Sequence, residues 1–311
     1  MKDKKYAIGA DIGGTNLRVA LVDREGEIVE RVKTSSTDTD NVFDSLVSAI
    51  DRFCSDDVAG IGIGVAGVIE REKGIVKRSP NLPSVEGVGF IDGIRQRFSL
   101  PVYIENDANA AALGERWAGA GRKFKSFVLF TLGTGIGGGV IYDGHLLDIA
   151  AELGHISIEA EGVRCPCGNN GCLESYASAR AMTGRAVESI ESGTESLMKG
   201  CCEGNVYKIS PEDIYSYALE GDNLARETLK TAGRYLGVGI ASAINIFSPE
   251  AVILTGGLIG AWNIYVETAI KEASKRAFPE LYGSTKILPS LLKDDAGVIG
   301  AACLVFDKTK S

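Results

Sequence analysis

The chain repeats one pattern, in which a β-strand leads through a glycine-rich connection into a second strand. The two copies occupy residues 6–22 and 127–142, and a shift of 120 positions places Gly13 on Gly133. A chance likeness between two hairpins would seldom repeat the position of the glycines, so the sequence predicts two similar α/β domains. Two such loops could clamp a polyphosphate between the domains, and closure would exclude water from a phosphoryl transfer.

Composition narrows the class of protein. The 311 residues, 45% hydrophobic and 24% charged, suffice for two cores and exclude disorder. A formal net charge of −8 argues against a nucleic-acid surface, which needs clustered Lys and Arg. No apolar run approaches the ~20 residues of a membrane helix, and the first residues lack a secretory signal, so we expect a cytoplasmic protein with no membrane partner. The odd total of seven cysteines fits a reducing compartment, with free or buried thiols at Cys54, Cys201, Cys202 and Cys303.

Helix signals complete the pattern of elements. We predict an amphipathic helix over 42–53, a loop insertion between Glu191 and Ser210, and a long helix over 225–247. Ser210, followed by Pro and two acids, is typical of a helix N-cap.

The first glycine loop follows a strand and carries the residues of a phosphate cradle, Asp11, Gly13, Gly14, Thr15 and Asn16. Exposed glycine amides with a nearby hydroxyl can hold phosphate oxygens, and Asp11 could hold Mg²⁺ directly or through water. A tight β-turn is the alternative interpretation of the same residues.

The second glycine loop contains a formal G-x-G-x-x-G between Gly133 and Gly138. A dinucleotide-binding fingerprint must open a helix, whereas here residues 140–142 continue as a strand, so we reject that interpretation. Gly133, Thr134 and Gly135 instead predict a second phosphate loop. A third glycine turn, Gly256 and Gly257, follows another strand and is plausible for nucleotide contact.

A carboxylate-rich segment, Glu105-Asn106-Asp107, ends one strand and begins an alanine-rich helix. A carboxylate at a strand end is well placed to take a proton from a bound hydroxyl. Helix capping by Asn106 or Asp107 is the alternative.

One histidine and three cysteines, His155, Cys165, Cys167 and Cys172, fall within eighteen positions. Three thiolates and one imidazole suit tetrahedral Zn²⁺ with no open position, so such an ion would lock a loop rather than activate water. A disulfide or a chance cluster of thiols is the alternative.

Six segments in this order, DIGGTN, ENDANAAALGE, LGTGIGGG, ELGH, CPCGNNGCLE and LTGG, resemble the ROK family of sugar kinases and sugar-responsive repressors over essentially the whole chain. SPNLP and LESYAS most resemble its bacterial glucokinase branch. The resemblance implies the actin-like, Hsp70-like ATPase fold, an α/β fold of two ribonuclease-H-like domains with a central cleft. It implies a smaller domain of residues 1–117 plus 296–311 and a larger domain of residues 118–295.

The resemblance also implies roles for individual residues. Asp107 would be the general base on the sugar 6-hydroxyl, and the three glycine segments would bind ATP and Mg²⁺. The hexose would be held by Gly67, Asn81, Asn106, Asp107, Glu152, His155 and Glu174. The zinc ligands would be His155, Cys165, Cys167 and Cys172.

The expected activity is ATP-dependent phosphorylation of a hexose, most simply glucose to glucose 6-phosphate. An N-acetylhexosamine kinase or a fructokinase shares these hydroxyl-binding residues. A sugar-binding ROK repressor without catalysis is the alternative of another class, and the five residues before Tyr6 leave no room for its helix-turn-helix domain. The family resemblance further suggests a homodimer or homotetramer.

Overall fold

The computed structural model describes residues 4–14, 16–35, 42–79 and 82–309. Within these ranges, no helix is both long enough and apolar enough to cross a membrane. Thr15 and Asn81, two of the predicted site residues, lie outside the described residues.

Contacts between residues divide the chain into two compact units. The first comprises residues 1–129, 139–151 and 290–311, and the second comprises residues 130–138 and 152–289. The boundaries predicted from the sequence, at 117/118 and 295/296, stay a prediction.

The first sheet has five strands in the order β3-β2-β1-β4-β7. They are β1 (Tyr6–Ile12), β2 (Asn16–Asp23), β3 (Ile28–Ser35), β4 (Val58–Val65) and β7 (Val102–Asn106), while β5 (Val68–Glu70) and β6 (Ile75–Arg78) form a separate ribbon. The three strands β1, β2 and β3 pair antiparallel, and β4 and β7 then continue parallel to β1.

The second sheet has the same plan, in the order β10-β9-β8-β11-β12. Its strands are β8 (Phe127–Leu132), β9 (Ile136–Tyr142), β10 (His145–Leu146), β11 (Ala251–Thr255) and β12 (Lys286–Pro289). In each sheet the first strand of the repeated hairpin is central and the later strands lie on its far side. The predicted duplication is therefore confirmed at the level of topology.

Ten α-helices complete the described structure. They are α1 (Val42–Asp51), α2 (Phe90–Phe98), α3 (Asp107–Trp117), α4 (Glu174–Ala177), α5 (Ala179–Glu191), α6 (Pro211–Leu219), α7 (Asn223–Phe247), α8 (Glu267–Arg276), α9 (Pro279–Ser284) and α10 (Ala296–Thr309).

In the first unit, the backbone of α10 packs closely against strands β1 and β4. A Cβ atom on Gly9 of β1 would overlap the carbonyl oxygen of Val298, and one on Gly62 of β4 would overlap that of Ala301. Only glycine therefore lets α10 lie directly on the sheet. The opposite face of the sheet packs on α1 and α2 through an apolar cluster that includes Leu46 and Phe90.

Most of the helices and strands predicted from the sequence match those of the structure. Helix α1 ends at Asp51 rather than at Phe53. Residues 52 and 53 form a non-helical turn, in which the Phe53 side chain is still buried in the apolar core. Ser210 caps α6, as predicted, and the structure adds a capping box with Asp213. The insertion between Glu191 and Ser210 is not a plain loop, since it contains 3₁₀ turns at Leu197–Gly204 and Val206–Lys208.

Candidate active site and metal centre

Strand register brings acidic side chains together at one edge of the first sheet. Asp11 of β1 pairs with Gly64 of β4, and Gly64 pairs with Glu105 of β7. The carboxyl ends of parallel strands therefore bring two acidic residues, 94 positions apart in the chain, into one row.

Asp107 is the first residue of α3. Asn106 caps this helix, because its Oδ1 accepts hydrogen bonds from the amides of Ala108 at 2.9 Å and Asn109 at 3.1 Å. The capping interpretation is thus correct for Asn106, and Asp107 Oδ1 also accepts from the Ala108 amide at 2.9 Å. Burial raises the pKa of the Asp107 carboxyl above its ordinary value.

Asp11 is also nearly buried, with 9% of its surface exposed. Arg18, directly opposite it on β2, donates from Nη1 to Asp11 Oδ2 at 3.3 Å. Burial, followed by the charge of Asp107, raises the pKa of Asp11 to about 7 despite Arg18. The negative charge of Asp107 therefore acts on the Asp11 carboxyl and disfavours its ionised form.

A charge network that the sequence did not reveal supports the strand end before Asp107. Arg71 donates to Glu105 through Nε at 2.7 Å and Nη2 at 2.8 Å, and through Nη1 to Asp148 at 2.5 Å. Glu105 Oε1 also accepts from the Asn106 amide at 2.8 Å and from Asn109 Nδ2 at 3.1 Å. One buried carboxylate thus fixes both the cap and the first turn of α3.

Gly67 and Asn106, both predicted to bind the hexose, lie together. Asn106 Nδ2 donates to the Gly67 carbonyl oxygen at 3.1 Å. Gly67 has φ of +123°, and a Cβ there would overlap the carbonyl oxygen of Arg78. A residue other than glycine would therefore displace the partner of Asn106.

In the second unit, the predicted phosphate loop is a tight turn between β8 and β9. The Gly133 amide donates to the Gly135 carbonyl at 3.0 Å, and the Ala179 amide donates to the Gly133 carbonyl at 2.9 Å. Since β9 begins at Ile136 as a strand, the rejection of a dinucleotide-binding helix is confirmed.

Two other predicted residues contact the strands that flank this loop. Glu174 Oε2 accepts from the Ile136 amide at 2.7 Å. Gly256 has φ of +98°, and a Cβ there would overlap the Leu132 carbonyl oxygen at the end of β8. The second and third glycine segments and Glu174 thus converge. Thr134 lies in the same turn, and Gly257 begins the 3₁₀ turn after Gly256.

The four predicted zinc ligands also converge, with ligand atoms all within 4.8 Å of one another. His155 Nδ1 lies 3.7 Å from Cys165 Sγ, and Cys167 Sγ lies 3.6 Å from Cys172 Sγ. Zn–S bonds of about 2.3 Å at tetrahedral angles would place two sulfurs about 3.8 Å apart, and a sulfur and an imidazole nitrogen about 3.6 Å apart. The spacing fits such a site, and none of the seven cysteines is joined in a disulfide.

Packing fixes the loop that bears these ligands. The Leu173 side chain is fully buried and fills the space that a Cβ on Gly239 of α7 would need. Gly171 has φ of +70°, and a Cβ there would overlap the Glu159 carbonyl oxygen. Cys172 and Glu174, on either side of Leu173, are thereby held to the body of the second unit.

His155 and Glu152 share one short turn. The His155 amide donates to the Glu152 carbonyl at 3.0 Å within the 3₁₀ turn Leu153–His155. With Nδ1 turned toward Cys165, the Nε2 atom of His155 is the ring nitrogen left for another partner.

Sequence reasoning missed Arg18 and Arg71. Arg18 had a usable signal, because counting back across the Gly13–Asn16 turn of a hairpin puts it opposite Asp11. Arg71 had none, since its partners Glu105 and Asp148 are 34 and 77 positions away.

Known proteins share both sequence and fold with this chain. The model of the ROK family matches residues 7–308. A glucokinase of Thermotoga maritima is 36% identical over 314 aligned residues, which cover 98% of each chain. A xylose repressor of Caldicellulosiruptor bescii is 33% identical, and the match covers 98% of this chain and 79% of the repressor.

A solved structure extends the likeness to three dimensions. The ROK family glucokinase of Streptomyces griseus, in complex with glucose and AMPPNP, superimposes with a TM-score of 0.86 at 33% identity. The superposition covers 97% of this chain and 99% of that one. The two-sheet topology and this likeness confirm the predicted actin-like ATPase fold.

Proposed function

Because this chain belongs to the ROK family, we propose that it is an ATP-dependent hexose kinase that phosphorylates the 6-hydroxyl of glucose. The observation that carries the proposal is the half-buried Asp107 at the start of α3, where the end of β7 meets the helix. Burial raises the pKa of its carboxyl, and its charge helps to raise the pKa of Asp11. The glucokinases of Thermotoga maritima and Streptomyces griseus, matched over nearly their whole length, support glucose as the substrate.

In this mechanism Asp107 accepts the proton of the 6-hydroxyl as the oxygen attacks the γ-phosphate. Phosphoryl transfer asks for little covalent chemistry, so alignment and charge stabilisation supply most of the rate. A pKa raised by burial suits a base that works near neutral pH, and a positioned base contributes roughly 100-fold to 10,000-fold. The cap by Asn106 and the network around Glu105 hold the backbone on either side of Asp107 in position.

ATP and Mg²⁺ fit the residues present. Asp11 and its glycine turn would hold Mg²⁺ and phosphate, and a nearly buried carboxylate beside a second one is the donor set that a hard divalent cation prefers. Mg²⁺ would neutralise charge that develops on the transferred phosphoryl group. Gly133, Thr134 and Gly135 would offer the second phosphate contact, and the turn at Gly256 would contact the nucleotide.

We assign the hexose contacts to Asn106, Glu152, His155 and Glu174, with Gly67 as the support of Asn106 and Asn81 as a further contact. Zinc would take His155 Nδ1 and the three thiolates, which fills all four tetrahedral positions and excludes a catalytic role. The ion would instead orient His155 toward a sugar hydroxyl through Nε2 and hold Glu174 beside it.

The test is Mg²⁺-dependent ADP release from ATP by the purified protein with glucose, mannose, fructose, N-acetylglucosamine and N-acetylmannosamine in parallel. We expect turnover to be highest with glucose. Preference for an acetylated sugar or fructose would keep the mechanism and change the substrate. No turnover with any sugar, from protein that binds glucose in calorimetry, would favour a sugar-binding regulator of the kind that the xylose repressor represents.

The variant Asp107→Ala tests the base. We expect turnover to fall by roughly 100-fold to 10,000-fold while the dissociation constant for glucose changes little. Asp92→Ala, which removes an exposed acid from the first turn of α2, is the matched control and should keep normal turnover. Near-normal turnover of Asp107→Ala would refute the assignment. The predicted homodimer or homotetramer is checked by light scattering on the same preparation.

A further inference from the structure

The insertion between α5 and α6 holds two adjacent cysteines in an uncommon backbone. Cys202 has φ of 53° and ψ of 42°, and Glu203 has φ of 59° and ψ of 30°. Consecutive non-glycine residues in the left-handed region are costly and persist only where the surroundings determine them. The bend brings Cys201 Sγ and Cys202 Sγ to 3.1 Å, whereas side chains of neighbouring residues usually diverge.

A carboxylate from α6 completes the cluster. The ligand atoms of Cys201, Cys202 and Asp213 all lie within 4.8 Å of one another. Ser210 donates to Asp213 Oδ2 from its amide at 2.9 Å and from its hydroxyl at 2.6 Å, which fixes the position of the carboxylate. Asp213 is therefore held in place beside the two thiols.

The cluster is anchored but accessible. Cys201 is 6% exposed, whereas Cys202 and Asp213 are only half-buried. Cys202 Sγ also contacts the Lys208 carbonyl at 3.5 Å, so the second thiol is tied to the following turn of the insertion.

We propose that Cys201, Cys202 and Asp213 form a second cation site, separate from the His155 cluster, that takes a thiophilic divalent ion such as Zn²⁺. Two thiolates and one carboxylate are zinc ligands, and three protein ligands leave a fourth position for water. Tetrahedral zinc would require the two sulfurs to move from 3.1 Å to about 3.8 Å apart. Rotation about the Cα–Cβ bonds supplies that change, and the ion would then staple the insertion to α6.

A disulfide between the two thiols is the competing chemistry. Adjacent Cα atoms across a trans peptide are about 3.8 Å apart, which is shorter than the ~4.4–6.8 Å that disulfides span. The carboxylate of Asp213 has no part in a disulfide, whereas it serves as a ligand in a metal site. The observations therefore favour the cation.

The experiment measures zinc per chain by elemental analysis and native mass spectrometry, after purification under reducing conditions with Zn²⁺ and removal of excess metal. We expect two zinc ions in the unaltered protein, one in the double variant Cys201→Ser/Cys202→Ser, and two in the control Cys54→Ser, whose thiol lies outside both clusters. Asp213→Asn should speed the loss of one ion to a chelator, and Glu212→Gln, an exposed neighbour in the same helical turn, should not.

The unaltered protein supplies a test that needs no variant. Chelator-driven release should show two kinetic phases of one zinc each, because a three-ligand, half-exposed site loses its ion faster than a closed four-ligand site. A single phase of one zinc would overturn the proposal, as would an equal zinc content in the unaltered protein and the double variant. A tryptic peptide with Cys201 and Cys202 that is about 2 Da lighter than its dithiol form would also overturn it, since a disulfide would then occupy the pair.

Discussion

Replacement of Arg71 by Met tests how much the ion-pair network around Glu105 supports the proposed base, Asp107. The change removes a guanidinium that holds Glu105 through two hydrogen bonds and Asp148 through a third. Glu105 stays in place with only 6% of its side chain exposed, so its charge loses its main partner in a poorly solvated position. Met keeps the apolar stem of Arg71, so the effect reports the lost charge rather than lost packing.

The magnitude follows from burial. Breaking a fully buried ion pair costs about 3–5 kcal/mol, because one charge is left uncompensated. The Arg71 side chain is 34% exposed, and Glu105 keeps the amide of Asn106 and the Nδ2 of Asn109 as donors. We therefore expect a loss of about 2 kcal/mol in the free energy of unfolding, below the range for a fully buried pair. A loss of that size lowers Tm by roughly 3–6 °C.

Two assays check this expectation. Urea unfolding of the single variants Arg71→Met and Glu105→Gln and of the double variant closes a cycle. The double variant should be more stable than Arg71→Met alone, because Gln removes the stranded charge and still accepts hydrogen bonds. Turnover of Arg71→Met should fall roughly 10-fold to 100-fold, since Glu105 orients the first turn of α3. Strict additivity of the two stability losses, or unchanged stability of Arg71→Met, would refute the reasoning.

Three further expectations concern titration, metal and packing. Because burial raises the pKa of Asp11 to about 7, the folded protein binds a proton there that the unfolded chain releases near pH 4, so stability falls as pH rises from about 4 to 7. Urea unfolding without nucleotide and Mg²⁺ should therefore show Asp11→Asn to be more stable than the unaltered protein at pH 8, by up to about 4 kcal/mol. The variant should lose this advantage at pH 4. An equal advantage at both pH values would contradict the expected fall in stability with rising pH. Cys172→Ser should lower the zinc content by the one ion proposed for the His155 cluster and should raise KM for glucose. Cys303→Ser, at another buried thiol, should change neither, and an unchanged metal content of Cys172→Ser would argue against the site. Tyr265→Phe strands the Ala177 carbonyl that the buried hydroxyl contacts at 2.8 Å, so it should cost about 1–3 kcal/mol in unfolding free energy with unchanged turnover.

Local features were predictable from the sequence because their partners lie close in the chain. The Ser210 cap and the clustering of the four predicted zinc ligands, which fall within eighteen positions, are of this kind. The second glycine loop was recognised as a hairpin because an apolar strand follows it at once. Even the duplication depends only on comparing two segments of one chain, and both sheets bear it out in their strand order.

For the predicted site residues, the structure shows contacts but does not test the roles. The structure joins Asn106 to Gly67 and Glu174 to the second loop, whereas the catalytic and sugar-binding roles of these residues stay predictions for kinetics to test. The sequence singled out Asp11 and Asp107 separately, each beside its own strand. Nothing in their spacing said that the charge of one would raise the pKa of the other.

Short-range sterics and periodicity thus sufficed to predict most strands and helices and to pick out four side chains that could share a metal, whereas the phosphate-binding role of the glycine loops stays a prediction. The contacts of Arg71 with Glu105 and Asp148, and the packing of α10 on Gly9 and Gly62, arise only once the chain has folded. Those contacts depend on strand order and burial, which bring together residues that are remote in the chain and which no local pattern encodes. The same long-range packing buries Asp11 and half-buries Asp107, and burial is the main reason that the pKa of each is raised.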